Sequence, residues 1–338
     1  MGLVLAAGAA VVALWFLYQV IVAILLLFFA AVVAIALSAP VEGLVRRGIQ
    51  RRRAAGLVVI AFFAVIVLIA ALVIPRLAGQ VILLVNDLPR LVARLDAELV
   101  SWLTRYPDLQ QLVRVDGASG RDLMPAAVNI FRGVGLFSLS LLGFLALAVI
   151  YFSILVYIVL DPKPILRFYL ASLPRDYRRA GLRAYRRSAT AVIGWARASL
   201  AVGALQAIAT LIFLTLMDVP GALVWAALAF FADFIPRIGG YVMAFPPIIL
   251  SLTQGPLTAL WVAAFYLVSN EILGSVVAPK IRGATMQLHP VVIIFFTLAF
   301  ALAFGLLGAI VATPAAAFAA AYYSEFYMKR PLVRRGRG

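Results

Sequence analysis

The chain has 338 residues, of which 65% are hydrophobic and 12% are charged, with a mean hydropathy of +1.09 and a formal net charge of +16. A soluble domain carries about a quarter of its residues as charges, so this composition excludes a water-soluble protein. The chain contains no cysteine and one histidine, which excludes disulfides, thiolate metal sites and multi-histidine metal clusters. No cofactor is expected.

Uncharged apolar runs that are long enough to cross a bilayer recur along the chain, and about 20 helical residues suffice for one crossing. These runs are residues 2–40, 54–74, 133–160, 198–217 and 239–270. They are apolar on all sides, whereas the strands of a membrane barrel alternate between apolar and polar residues. The sequence predicts an all-α polytopic membrane protein.

Residues 1–75 are predicted to hold the N-terminal transmembrane helices and a basic cytoplasmic loop. The run up to Pro40 exceeds one ordinary span. Two short helices that turn near Tyr18 and Gln19 would fit, with the N-terminus in the cytoplasm, and one long tilted helix is the alternative. The basic residues of the loop are Arg46, Arg47, Arg51, Arg52 and Arg53.

Residues 76–132 carry seven arginines and six acids, close to balance, and lie between spans that border basic clusters. The segment is therefore predicted to be extracytoplasmic. An apolar stripe at helical spacing begins at Leu88, with Pro89 in the first turn and Asn86 or Asp87 as the cap. We expect an amphipathic surface helix that packs on the membrane domain or on a sister subunit.

Residues 133–160 are predicted to form a transmembrane helix, and residues 161–197 a basic cytoplasmic segment. The latter holds nine basic residues against Asp161 and Asp176. A further basic cluster forms the tail 326–338. By the positive-inside rule all of these clusters, and the C-terminus, face the cytoplasm. They would attract anionic lipids of the bilayer, and binding of nucleic acid is not expected.

Residues 198–325 are predicted to form a transport core with two broken hairpins, 220–254 and 289–322. The first is interrupted by a polar and glycine-containing stretch, and the second by a pair of glycines; each break has a proline six residues beyond its last glycine. The residues concerned are Asp233, Pro236, Arg237, Gly239, Gly240, Pro246, Gly305, Gly308 and Pro314. Opposed re-entrant hairpins of this kind indicate a transport site near the midplane. Four ordinary short spans are the alternative.

Ionisable residues in this half are candidate transport residues, because a charge within a membrane is costly. Glu271, beside Asn270, ends a long uncharged run and could exchange a proton for a cation or substrate. Asp233 and Arg237 lie four residues apart and could pair on one helical face. The pair would either stabilise the break or place Arg237 to bind a substrate. His289 precedes Pro290 and is either a helix-start residue or a proton relay.

The order of these features resembles the autoinducer-2 exporter family of permeases. The resemblance rests on the break Ile235–Gly240, on Glu271 followed by Pro279-Lys280-Ile281-Arg282-Gly283, and on Leu288-His289-Pro290 followed by Gly305, Gly308 and Pro314. It implies about eight membrane segments, export of small polar signals or metabolites, and assembly as a homo-oligomer. It also implies sodium/proton antiport as an alternative activity.

Other classes of function are less well supported. Gly117-Ala118-Ser119-Gly120 is similar to a serine motif of intramembrane proteases, but it lies in a polar loop and only His289 could act as its base. The chain has neither a zinc-protease helix motif nor a phosphate-binding loop, so we expect no enzyme activity and no catalytic residue. An oligomeric channel or a membrane scaffold is the remaining alternative, and saturable counterflow would distinguish a carrier from both.

Overall fold

The fold of the chain is given by a computed structural model that describes residues 2–105, 141–236, 238–282 and 289–328. The described part contains helices and no strand, so the all-α architecture predicted from composition is confirmed. The helices are α1 Gly2–Arg46, α2 Arg51–Arg105, α3 Leu141–Leu160, α4 Lys163–Ala171, α5 Arg178–Leu216, α6 Ala222–Ala232, α7 Gly239–Ser251, α8 Pro256–Glu271, α9 Ala278–Arg282 and α10 Pro290–Tyr323. A 3₁₀ turn spans Arg175–Tyr177, and π-helical segments span Ile272–Val277 and Ser324–Met328.

Several of these helices can cross a membrane. Within the described residues, 5 helical stretches are long and apolar enough, and 6 if α3 and α4, which meet at 84°, are counted as one span. The 5 stretches, selected by length and composition, are Gln19–Arg46, Arg51–Leu77, Arg175–Leu216, Pro256–Ile281 and Pro290–Met328. The last of them is bent sharply at Gly305 and is therefore not one straight crossing. The polytopic membrane fold predicted from the sequence is therefore confirmed.

The N-terminal run forms one long helix, which is one of the two alternatives that the sequence left open. No glycine or proline stands at Tyr18 or Gln19 to turn the chain, and helical hydrogen bonding continues through both. At 1.5 Å per residue, the 45 residues of α1 span about 67 Å, more than the thickness of a bilayer.

The amphipathic segment after Arg76 does not begin at a cap near Asn86 or Asp87, as the sequence suggested. It is the continuation of α2, which runs unbroken from Arg51 to Arg105 and passes through Pro75 and Pro89. Propagation of an existing helix adds one hydrogen bond per residue, whereas a new helix must first form an unfavourable nucleus. The rest of the predicted extracytoplasmic segment, including Gly117-Ala118-Ser119-Gly120, lies outside the described residues.

Helix α5 is the centre of the fold and contacts α1, α6, α8, α9 and α10. Its first half carries the basic residues that follow Asp176, and its second half is the apolar run 198–217, so both belong to one 39-residue helix. Buried apolar residues join α5 to α1 and to the last helix at Val32, Val192, Trp195 and Val311. A separate cluster joins α1, α2 and α3 around Val59 and Leu155.

Helices α6 and α7 form the first hairpin, which the sequence predicted from its polar break. They have 11 and 13 residues, about 16 and 20 Å of helix, each shorter than a membrane core of about 30 Å. The chain reverses between them, with turns at residues 233–236 and at Ile238, and a methyl group on Gly239 would overlap the carbonyl oxygen of Ala232. Gly239 thus allows the two arms to meet closely.

Helix α10 forms the second hairpin, which bends sharply at Gly305. This residue has φ 63° and ψ −146°, a backbone conformation that is open to glycine and essentially closed to other residues. A methyl group on Gly308 would overlap the carbonyl oxygen of Phe300. In a straight helix residues eight apart are separated by about 12 Å, so the chain has folded back on itself.

The two hairpins open toward opposite ends of α5. Near Leu216, Gln254 Nε2 donates to the Asp218 carbonyl (2.5 Å) and closes the open end of the first hairpin. The open end of the second lies at the other end of α5, where Glu325 pairs with Arg183 and Arg187. The two hairpins are therefore opposed along α5, whereas their entry from opposite faces of the membrane stays a prediction.

Candidate functional site

Glu271 lies deep within a membrane-crossing stretch. It ends α8, and the helix continues through the π-helical segment and α9 to Arg282. At 1.5 Å per residue it lies about 22 Å from Pro256 and about 15 Å from Ile281 along the helix. Because the hydrocarbon core is about 30 Å thick, this carboxylate lies at membrane depth rather than among the lipid headgroups.

The Glu271 carboxylate is held by two hydroxyl groups. Oε1 accepts a hydrogen bond from Ser275 Oγ one turn along the helix, and Oε2 accepts one from the Tyr241 hydroxyl of α7 at 3.4 Å. Glu271 and Tyr241 are both exposed on the surface of the single chain. Tyr241 therefore links the first hairpin directly to the acidic residue.

A π-helical segment, Ile272–Val277, begins directly after Glu271. Such segments replace the i to i−4 hydrogen bonds of an α-helix with i to i−5 bonds, and they recur at functional sites. Ser275, the hydroxyl partner of Glu271, belongs to this segment. The change in helical pitch therefore occurs at the site residues themselves.

Asn270 packs against the break of the first hairpin. Its Oδ1 lies so close to Gly240 that a methyl group there would overlap it, while its Nδ2 is buried and has no hydrogen-bond partner among the described residues. A buried amide donor without a partner costs about 1–3 kcal/mol. The unused donor of Asn270 is thus available to a ligand at this position.

Gln206 of α5 is the site residue that sequence reasoning missed. It is 4% exposed, and its Nε2 donates to Ser269 Oγ (3.2 Å) and to Thr210 Oγ1 (3.3 Å). Its Oε1 is buried and without a partner in the described part of the chain. The signal was present, because Gln206 is the one amide side chain within the uncharged run 198–217.

These residues surround one cavity of about 60 Å³ between α5, the first hairpin and α8. Of the predicted site residues, the structure brings together Asp233, Pro236, Gly240, Asn270 and Glu271 around it, with Gln206 and Tyr241 added. Gly239 is buried next to Gly240, where it lets the hairpin close. Arg237 lies outside the described residues, and so does its predicted pairing with Asp233.

The predicted residues of the second hairpin do not line this cavity. Gly305 and Gly308 shape the reversal of α10, and Pro314 is buried in its second arm. His289 stands at the start of α10, where its Nδ1 accepts a hydrogen bond from the Val291 amide at 3.3 Å. This contact is the one expected of a helix-start residue, whereas a role in proton relay stays a prediction.

No group of three or more His, Cys, Asp or Glu side chains within the described ranges is placed to hold a metal ion. The polar side chains that line the cavity are instead the carboxylates of Glu271 and Asp233, the amides of Gln206 and Asn270, and the hydroxyl of Tyr241. Amide and carboxylate oxygens bind monovalent cations, a carboxylate also binds a proton, and amide and hydroxyl donors bind polar solutes.

Comparison with known proteins places the chain among transport proteins. The sequence profile described as "AI-2E family transporter" matches residues 4–328. The chain is 26% identical over 293 residues to "Putative transport protein MT0215" of Mycobacterium tuberculosis, which covers 85% of this chain and 78% of that protein. It is 24% identical over 267 residues to "Putative transport protein YueF" of Bacillus subtilis, covering 77% and 72%. It is 33% identical over 121 residues to "AI-2 transport protein TqsA" of Escherichia coli, covering 36% and 35%.

Proposed function

Because this chain belongs to the AI-2E family of transporters, we propose that it is an ion-coupled secondary transporter that exports a small polar molecule or signal. The observation that carries the proposal is the convergence of Gln206, Asn270 and Glu271 on one cavity at membrane depth. Polar groups at this depth are costly and are functional by default. Irregular backbone at the hairpin break adds carbonyl and amide groups to the same place.

The size of the cavity favours coupling to an ion. A water molecule needs about 15 Å³ measured in the same way, so about 60 Å³ holds roughly four waters or one partly hydrated cation. The Glu271 carboxylate would bind H⁺ or Na⁺, and the Gln206 Oε1 that has no partner in the described residues supplies a neutral oxygen. A whole metabolite does not fit, so its passage requires the hairpin and α8 to move apart.

The opposed hairpins suggest how such a movement would give access to each side in turn. The open ends of the two hairpins lie near opposite ends of α5. Re-entrant segments of this kind surround the substrate site in several transporter folds, where one part rocks against the other. We propose that movement of the first hairpin along α8 changes the side of the membrane from which an ion or substrate can reach Glu271.

One relative supports a proposal for the substrate class. The Escherichia coli protein is named for transport of AI-2, and it matches about a third of this chain. We propose autoinducer-2 or a similar small polar signal as the substrate. Its hydroxyl groups would be bound by the free Nδ2 of Asn270 and the carboxylate of Glu271.

Sodium or lithium/proton antiport is the second candidate function, and the small volume of the cavity favours it. In that case the ion is itself the cargo, and Glu271 would bind either H⁺ or the metal cation. An oligomeric channel or scaffold would need no alternating site and would show no counterflow.

The proposal places the chain in the prokaryotic cytoplasmic membrane as a homo-oligomer with a cytoplasmic C-terminus. The exposure of Glu271 and Tyr241 on the single chain supports assembly, because a carboxylate at this depth survives only in a wet cavity or against protein. The basic clusters support the orientation.

Proton flux in proteoliposomes tests ion coupling. The vesicles contain a pH dye, sodium, lithium or potassium gradients are imposed, and wild type is compared with Glu271→Gln. The matched control is Glu42→Gln, which removes an exposed carboxylate near the end of α1. We expect cation-driven proton flux in wild type and control and none in Glu271→Gln.

Counterflow of labelled autoinducer-2 in the same vesicles tests the substrate. Saturable counterflow supports a carrier of this signal, and proton flux without counterflow supports the antiporter. Equal proton flux in wild type and Glu271→Gln contradicts coupling at this residue. Unsaturable flux without counterflow identifies a channel and overturns the proposal.

A further inference from the structure

A second binding region lies at the basic end of α5, far from the Glu271 cavity. It is a cleft of about 610 Å³ between the turn that precedes α5 and the last turns of the second hairpin. Aromatic rings line it, with Tyr177 on one wall and Tyr322, Tyr323, Phe326 and Tyr327 on the other. Tyr177 stacks on Phe326, with ring centroids 5.9 Å apart. Such a surface is apolar with polar rims.

The neighbouring helix α4 fixes the depth of this cleft in the membrane. It meets α3 at 84°, so that it runs along the membrane plane where α3 leaves the bilayer. Ile165 and Phe168 of α4 are 51% and 78% exposed, and Lys163 and Arg167 are also exposed. Exposed apolar and basic residues on one short helix are typical of the lipid–water interface. The cleft therefore lies at headgroup level, where tyrosines are enriched.

The rim of the cleft is cationic. Residues 175–187 contain six arginines and one acid, Asp176. Arg183 and Arg187 are engaged by Glu325, whereas Arg175, Arg178 and Arg179 are exposed and form no ion pair among the described residues. Arg178 Nε donates to the carbonyl of Leu173, a wall residue, at 3.3 Å, which holds its guanidinium at the edge of the cleft.

We propose that this cleft binds one anionic phospholipid. The phosphate lies against Arg178, and the glycerol and the first part of an acyl chain fill the aromatic space. The volume is that of an ordinary small-molecule site of about 300–1,000 Å³, which suits the polar end of a lipid. A neutral lipid would leave the arginines unpaired, and free phosphate would leave the aromatic walls uncovered. The bound lipid joins the turn before α5 to the end of the second hairpin.

Lipid titration of the purified full chain in detergent tests this site. Native mass spectrometry measures retained phosphatidylglycerol, and thermal unfolding measures the stabilisation that it gives, with phosphatidylcholine as the neutral comparison. Arg178→Gln removes the rim charge, and Ala319→Leu fills the cleft, which Ala319 lines, without changing charge. Arg52→Gln is the matched control, because it removes one exposed arginine from another basic cluster.

We expect phosphatidylglycerol to bind wild type and Arg52→Gln equally, and Arg178→Gln about fivefold more weakly, as for the loss of one basic contact. Ala319→Leu should lose the shift in unfolding temperature although its net charge is intact. Equal binding by all four proteins would show attraction by bulk charge alone and overturn the proposal. A shift of the same size with inorganic phosphate or phosphatidylcholine would also overturn it.

Discussion

Gly240 and Asn270 are in direct contact, because Oδ1 of Asn270 occupies the space that a side chain at residue 240 would need. The contact brings the break of the first hairpin against α8 one residue before Glu271. A glycine is thus required here by close approach and not by its backbone angles. The position of the hairpin relative to the carboxylate depends on this pair.

Gly240→Ala should push the hairpin away from α8 and open the cavity. Overpacking of this kind costs about 1–3 kcal/mol, so we expect a lower apparent unfolding temperature and proton flux reduced by about tenfold. Thermal unfolding and flux in proteoliposomes measure the two effects. Gly56→Ala is the control, because a methyl group there meets no atom within 4 Å.

The same substitution in an Asn270→Ala background isolates the contact. Since the overlapping oxygen is then absent, Gly240→Ala should lower the unfolding temperature much less than it does in the wild type. Equal losses in both backgrounds would show that the strain arises elsewhere.

Gln206→Leu tests whether the Gln206 amide acts in transport or only in packing. The substitution removes a buried Oε1 that lacks a partner in the described residues, and with it the two hydrogen bonds that Nε2 donates to Ser269 and Thr210. These effects have opposite signs, so the unfolding temperature should change little. Transport should fall, because the cavity loses a polar group. Thr297→Val is the control, since the Thr297 hydroxyl is buried and bonds only within its own helix, to the Ile293 carbonyl at 2.8 Å. Loss of stability without loss of flux would make Gln206 a packing residue.

The breaks of both hairpins could be predicted from the sequence because their causes are local. Glycine and proline act on the backbone where they stand, and the conformation of Gly305 is one that few other residues adopt. Glu271 could likewise be predicted as a site residue, because a charge within a membrane is energetically costly. Gln206 was missed because a neutral amide costs less and gives a weaker signal.

Other features could not be read from the sequence because they depend on the whole fold. The spacing of apolar residues does not distinguish one 45-residue helix at the N-terminus from two shorter ones. A helix start was expected near Pro89, but α2 already continues into this segment from its N-terminal side. The contact between Gly240 and Asn270 joins residues that are distant in the chain, and only packing places them together.

Glu325 closes the second hairpin on α5 and should be a stability determinant. Its side chain is 1% exposed, and it pairs with Arg183 at 2.9 Å and Arg187 at 3.1 Å. Both arginines are more than half exposed and can be hydrated. Glu325→Gln should therefore lower the free energy of unfolding by about 1–2 kcal/mol, whereas breaking a fully buried ion pair costs about 3–5 kcal/mol. Thermal unfolding at low salt measures the loss.

Single replacement of Arg183 should cost less than Glu325→Gln, because Arg187 still pairs with the carboxylate. Arg186→Gln is the matched control on the same helix, and it should leave the unfolding temperature unchanged. If Arg183→Gln and Arg186→Gln behaved alike, the pair would contribute nothing.

Gly305→Ala tests the reversal in α10 directly. At φ 63° and ψ −146° a Cβ atom is strained, and such strain costs about 1–3 kcal/mol. We expect a lower unfolding temperature and reduced transport, because the second hairpin must shift to relieve the strain. Gly43→Ala in α1 is the control, since a methyl group there meets no atom within 4 Å and the residue is helical. If Gly305→Ala retained both the wild-type unfolding temperature and wild-type flux, the chain would not need to reverse at this residue, and α10 would then act as a continuous span.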